Sequence, residues 1–202
     1  RQNGGPRQRG IYVMVKVCVV NGKPGVGKSE FERQCAAQCN FFNRVNGFVP
    51  GYLLRVNITS TVDFVKEVAR FCGWDGVKTL ENRKFLSDLK DLLTEWNDIP
   101  YKMIVEHIKS LPVSQDWLVF VDCREPAEIQ KLKERLNATT VLIRREEVEN
   151  NEVSNHADSD VFYYDYDLTI YNNSDIIHLE DEARKFIEYM KKEEVPHYVN
   201  VD

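Results

Sequence analysis

Gly22, Gly27, Lys28 and Ser29 occupy the fixed positions of GxxxxGK[ST], in a stretch that reads GKPGVGKS. These residue types at this spacing can wrap a polyphosphate. Small residues let the backbone curl so that successive N–H groups point inward, and a helix starting there adds the positive end of its dipole. Gly25 and Gly27 can take positive φ without a Cβ clash. Lys28 is expected to reach the β- and γ-phosphates, and the Ser29 hydroxyl to ligate Mg²⁺. The expected nucleotide-binding residues are therefore Gly22, Lys23, Pro24, Gly25, Val26, Gly27, Lys28, Ser29 and Glu30.

Asp122 is the second anchor. It follows four apolar residues, Leu118 to Val121, and an acid at the end of a buried strand is placed to sit near Mg²⁺. A helix N-cap is the alternative reading of the same residue. Cys123 follows where many ATP-hydrolysing motors carry Glu to activate water. No DxxG or NKxD string occurs, which argues against a guanine-specific switch. Phosphoryl transfer needs neither feature, since the acceptor is the nucleophile. It does need cations to spread over the developing charge. Arg124 and Arg144 both stand at expected carboxyl ends of strands, where a guanidinium can grip phosphate in a bidentate fork. Lys66, Arg83, Lys90 and Arg145 are further cations near the expected site.

These residues need elements to hold them. Ile11 to Val20 is almost unbroken apolar and reads as a buried strand leading into the glycine loop. A helix follows from about Glu30 to Asn40, then a loop over Asn43 to Gly51. Tyr52 to Ile58 reads as a second strand. Ser60 or Thr61 caps a helix over about Val62 to Cys72, with Val62, Val65, Val68 and Cys72 on one face. From Asn82 to Trp96, Phe85, Leu86, Leu89, Leu92, Leu93 and Trp96 form an apolar stripe. Asp98 and Pro100 open another helix, with Met103, Ile104, Ile108 and Leu111 inward. His107 lies at its boundary and reads as a core histidine rather than a ligand.

Trp117 to Val121 and Thr139 to Ile143 read as strands, with a helix starting at Glu125 and Pro126 between them. Its core face is Ile129, Leu132 and Leu136. Arg144 to Asp160 is polar and aperiodic, the pattern of a mobile loop or lid. Asp167 to Tyr171 is the last strand, and Leu179 to Met190 the last helix. Strands alternating with helices predict a parallel sheet covered on both faces.

The 202 residues suffice for one sizeable domain, and a hydrophobic fraction of 43% supports a real core. Net charge is −5, which argues against a surface for non-specific nucleic-acid binding. No run of 18 apolar residues occurs, so no membrane span is expected. Five cysteines form no CxxC pair and read as core thiols, pointing to a reduced, cytoplasmic compartment. Residues 1–10 read as a disordered tail, leaving one domain over 11–195.

The layout resembles P-loop nucleoside monophosphate kinases, most closely the phage-type deoxynucleoside monophosphate kinases. The likeness runs over about Val13 to Met190, through GKPGVGKS, NITSTVDFVKEVA, TLENRKFLSDL, VFVDCREPAEI, VLIRR and DYDLTIYNN. It implies a three-layer α/β P-loop NTPase fold with five parallel strands in order 2-3-1-4-5. It implies that Lys28 and Ser29 hold ATP–Mg²⁺ with Asp122, that Lys66 and Arg83 bind the acceptor from helices within about 60–111, and that Arg124 grips it from just past the strand-end acid. Arg144 would lie by the adenine or phosphates, Asn172 and Asn173 would border the base, and 144–160 would be the lid. This lid departs from the family in its acids, Glu146, Glu147, Glu149 and Glu152. The reading is ATP-dependent phosphoryl transfer to a small phosphorylated acceptor, a (deoxy)nucleoside monophosphate. The alternatives are a kinase for another small metabolite, or a non-catalytic ATP-binding regulatory module.

Overall fold

The computed structural model describes residues 14–46, 54–149 and 160–192. The expected tail, the first residues of the first two strands and much of the expected lid lie outside them.

Five strands are described: β1 Val15–Asn21, β2 Leu54–Ser60, β3 Asp116–Asp122, β4 Thr139–Arg144 and β5 Leu168–Tyr171. They form one parallel sheet in the order β2-β3-β1-β4-β5. β1 is central and buried along its whole length, as its Val-rich run requires. Lys16, its one charge, is buried too, and its ammonium donates to the carbonyl of Met190.

The two-residue period of a strand sorts the core onto two faces. Cys18, Val20, Leu118 and Phe120 point to one. There they meet α1 (Lys28–Asn46) and α7 (Ile176–Lys192) through Phe31, Cys35, Phe186 and Ile187. The Phe31 and Phe186 rings meet edge-on at 5.4 Å. Val17, Val19, Val119 and Val121 point to the other face. Ile104 and Ile108 of α4 (Ile99–Ser110) and Ile129 and Leu132 of α5 (Pro126–Leu136) cover them. This is the three-layer P-loop NTPase arrangement, with the strand order that the resemblance implied.

Some local expectations change. α1 continues to Asn46, so the loop expected from Asn43 begins later. In α2 (Asp63–Phe71) the buried residues are Val65 and Ala69, while Cys72 lies past the helix end and is exposed. In α3 (Leu80–Asn97) the apolar stripe is not core. Phe85, Leu92 and Trp96 are exposed, and Lys90 is the helix's buried residue. Met103 of α4 is also partly exposed, while Ile104 and Ile108 face inward. The start of the expected lid is a short helix, α6 (Glu146–Glu149), and residues 150–159 are outside the described set. His107 bonds Asn57 Oδ1 through Nε2 at 2.7 Å, a boundary histidine with a structural partner.

Candidate functional site

The strand register brings the chemistry to one edge. Asp122, last in β3, is level with Val20 of β1 and Ser60 of β2. Asn21 is level with Leu142 of β4, and Arg144 with Tyr171 of β5. All lie at the carboxyl ends of parallel strands, where this architecture opens its binding crevice.

Between β1 and α1 the chain turns through Gly22, Gly25 and Gly27, with φ of 149°, 83° and 98°. A Cβ on Gly22 would meet Ile143 O at 2.5 Å, and one on Gly27 would meet Asn172 Nδ2 at 2.4 Å. The loop is thus pressed against β4 and the end of β5 where side chains would block it. Lys28 opens α1 and folds back, donating to the carbonyls of Gly22 at 2.6 Å and Lys23 at 3.3 Å. Ser29 follows it, exposed, in the first turn. The side chain of Glu30 is engaged by Arg33 and Gln34, which hold its carboxyl below the usual range.

Asn21 organises the loop's entrance. Its Oδ1 accepts from Gly22 N at 2.7 Å, and its Nδ2 donates to the Tyr166 hydroxyl at 2.7 Å and to Arg124 O at 3.2 Å. One side chain therefore ties the loop to the turn after β3. On the far side of Asp122, Thr61 N and Ser60 Oγ both donate to its carbonyl at 3.2 Å.

The Asp122 carboxyl is in a different position. Its Oδ1 is buried with no hydrogen-bond partner. Burial raises its pKa, opposed first by Lys28, then by Arg124, with Lys66 also lowering it and Asp63 raising it. Three of the expected cations thus act on this one acid. Lys66 also pairs with Asp63 at 3.1 Å. Glu32 belongs to the same cluster. It is 1% exposed, its Oε1 has no partner, and burial followed by the Asp122 charge pushes its pKa up to about 8, with Lys28 opposing.

A magnesium–nucleotide fits this edge. The unsatisfied Asp122 oxygen suits a hard cation, and the glycine backbone with the N-terminus of α1 suits phosphate. Ser29 and Asp122 would hold the metal, and Lys28 with the loop amides the phosphates.

Asn172 is buried and donates Nδ2 to Val26 O at 2.9 Å, while its N–H donates to Arg144 O at 2.7 Å. Its amide serves the loop. Asn173 is exposed and accepts from Glu146 N at 2.9 Å. The Arg144 guanidinium lies 5.1 Å from the Phe162 ring centroid and 5.7 Å from that of Tyr171. Lys23 approaches Phe162 as well, at 5.4 Å. Phe162 ends a 3₁₀ turn, Asp160–Phe162. Arg83 is exposed near the start of α3, and no contact among the described residues brings it to the loop. Lys90 is buried against Glu128 at 2.5 Å, so it braces α3 on α5.

Asn21, Glu32 and Phe162 belong to this edge and were not singled out in the sequence. Asn21 carried a positional signal, since it directly precedes the motif. Glu32 carried one too, lying beside Phe31 and three residues before Cys35 on the buried side of a helix. Phe162 sits in an aromatic run with no period.

No protein-family model matches the chain, and no curated protein matches it. Among solved structures, a shikimate kinase from Bacteroides thetaiotaomicron is 13% identical, with 89% of this chain and 99% of that chain covered and a TM-score of 0.43. A thymidylate kinase from Ehrlichia chaffeensis is 14% identical, with 86% and 99% covered and a TM-score of 0.44.

Proposed function

We propose that the chain is an ATP-dependent phosphotransferase that acts on a small phosphorylated acceptor, a (deoxy)nucleoside monophosphate. The observation that carries this reading is the buried, unpartnered Asp122 Oδ1 at the same sheet edge as the glycine loop and its folded-back Lys28, with Lys28, Arg124 and Lys66 each lowering the pKa of that acid. One acid for a metal and several cations for phosphoryl oxygens are what transfer between phosphates requires.

ATP–Mg²⁺ supplies the electrophilic γ-phosphoryl group. The loop amides and Lys28 bind and orient the donor phosphates, and Lys28 leaves the Gly22 and Lys23 carbonyls to do so. Asp122 and Ser29 position the cation. Arg124 and Lys66 neutralise the acceptor phosphate and hold it in line with the donor, so catalysis is positioning plus charge stabilisation. Arg83 is assigned to the acceptor by the resemblance, with α2 to α4 as the acceptor side. Arg144, backed by Phe162 and Tyr171, flanks the donor base, and Asn172 and Asn173 support that end.

One observation favours the regulatory reading. Arg145 is neutralised by Glu147 at 2.8 Å, which withdraws one cation from the start of the lid. Coupled measurement of ADP formation across a panel of nucleoside monophosphates separates the readings. Phosphotransfer predicts acceptor-dependent ADP with at least one of them. ATP binding with no stimulation by any acceptor, including a wider metabolite panel, would leave the regulatory module.

A further inference from the structure

We propose that Glu32 is a second carboxylate of the cation site, acting with Asp122 to hold the divalent ion that accompanies the nucleotide. This rests on the nucleotide-binding reading above and extends it to a residue outside the motif.

Ser29 and Glu32 are three apart in α1 and so share a side of the helix. Helical side chains lean back toward the N-terminus. The two methylenes of Glu32 therefore carry its carboxyl toward the turn that holds Ser29. The β3 side chain on this face at the sheet's carboxyl edge is Asp122. The Asp122 charge acts on Glu32, and Lys28 acts on both carboxyls.

Glu32 is 1% exposed and its Oε1 meets no donor; Asp122 Oδ1 is buried without one as well. A buried carboxylate with a purely structural role is met by donors, because an unmet one is costly. Here two unmet carboxyl oxygens belong to one cluster, and the helix neighbours of Glu32, Phe31 and Cys35, are apolar core. Such oxygens fit a hard divalent ion, bound directly or through its retained waters. Mg²⁺ sites commonly combine one or two carboxylates with substrate phosphates.

The test uses the full chain with ADP and Mn²⁺. Mn²⁺ affinity of the protein–ADP complex is read from the free-ion electron paramagnetic resonance signal, and metal-free ADP affinity by calorimetry in EDTA. Glu32→Gln is expected to weaken Mn²⁺ by at least about tenfold, while metal-free ADP affinity stays within about twofold of wild type. Glu32→Asp, which keeps the charge one methylene short, is expected to fall between. Circular dichroism establishes that each variant is folded, and Glu32→Asp decides the matter if Glu32→Gln is not. Unchanged Mn²⁺ affinity in the folded variants overturns the proposal. So does an equal loss of metal-free ADP binding, which would assign Glu32 to loop shape. A wild-type chain that binds no ADP with or without Mn²⁺ overturns the nucleotide reading together with this one.

Discussion

Asn172 donates its side-chain amide to the carbonyl of Val26 at 2.9 Å, across 146 positions of sequence. Its own N–H is held by Arg144 O. The glycine loop is therefore latched to the ends of β4 and β5 by one buried amide. Asn172→Ala leaves a buried carbonyl without its donor, a cost of about 1–3 kcal/mol. ATP affinity measured by calorimetry should fall about tenfold, with the far-ultraviolet spectrum unchanged.

Gly27 lies against the same amide. At φ 98° it occupies backbone that a side chain resists, and its Cβ would come within 2.4 Å of Asn172 Nδ2. Gly27→Ala should abolish measurable ATP binding. The double variant Gly27→Ala, Asn172→Ala should recover only part of it, since removing the clash leaves the backbone strain. Full recovery would mean that the clash alone mattered.

The stability of the nucleotide-free protein should carry the mark of Glu32. Its pKa rises from 4.5 to about 8 on folding. Between those values the folded protein binds the proton and the unfolded chain has released it, so stability falls as pH rises through the window. Above about pH 8 the penalty is complete, at most about 5 kcal/mol. Glu32→Gln removes it. Urea unfolding should show the variant gaining on wild type from pH 5 to pH 8.5; a constant difference across that range would contradict this.

Lys90 and Glu128 form an ion pair at 2.5 Å with both side chains largely out of water. Cys123 Sγ donates to the same Glu128 oxygen at 3.5 Å. Breaking the pair with Lys90→Met should cost about 3–5 kcal/mol, because Glu128 is left charged and buried. Lys90→Met with Glu128→Leu should restore most of the loss. Chemical unfolding of the single and double variants checks both statements.

The sheet and the glycine loop were legible because each rests on local pattern. Val15 to Val20 is apolar without a break except Lys16, and GKPGVGKS has few other uses. Asp122 was legible as a strand-end acid, and its register beside β1 follows from the strand order. The helix faces were read less well. Phe85, Leu92 and Trp96 are spaced for one face, yet that face has no covering element among the described residues. Periodicity reports that a face is apolar, not that something packs on it. A charge in a helix is usually solvated, which masks Glu32 in the sequence. Its spacing from Cys35 points to the buried side of α1, and the packing of α1 against the sheet buries it. The resemblance puts Asn172 near a base, whereas its latch on Val26 depends on how tightly β5 passes the loop.

The central claim is that the loop amides and Lys28 close around the phosphates of ATP. Calorimetric titration of Mg²⁺–ATP into wild type and Lys28→Ala tests it most directly. Hydrogen bonds from a charged donor contribute about 1.5–3 kcal/mol each, so the variant should bind about 10- to 100-fold more weakly while unfolding at the same temperature within a few degrees. Equal affinity for the two proteins would contradict the account.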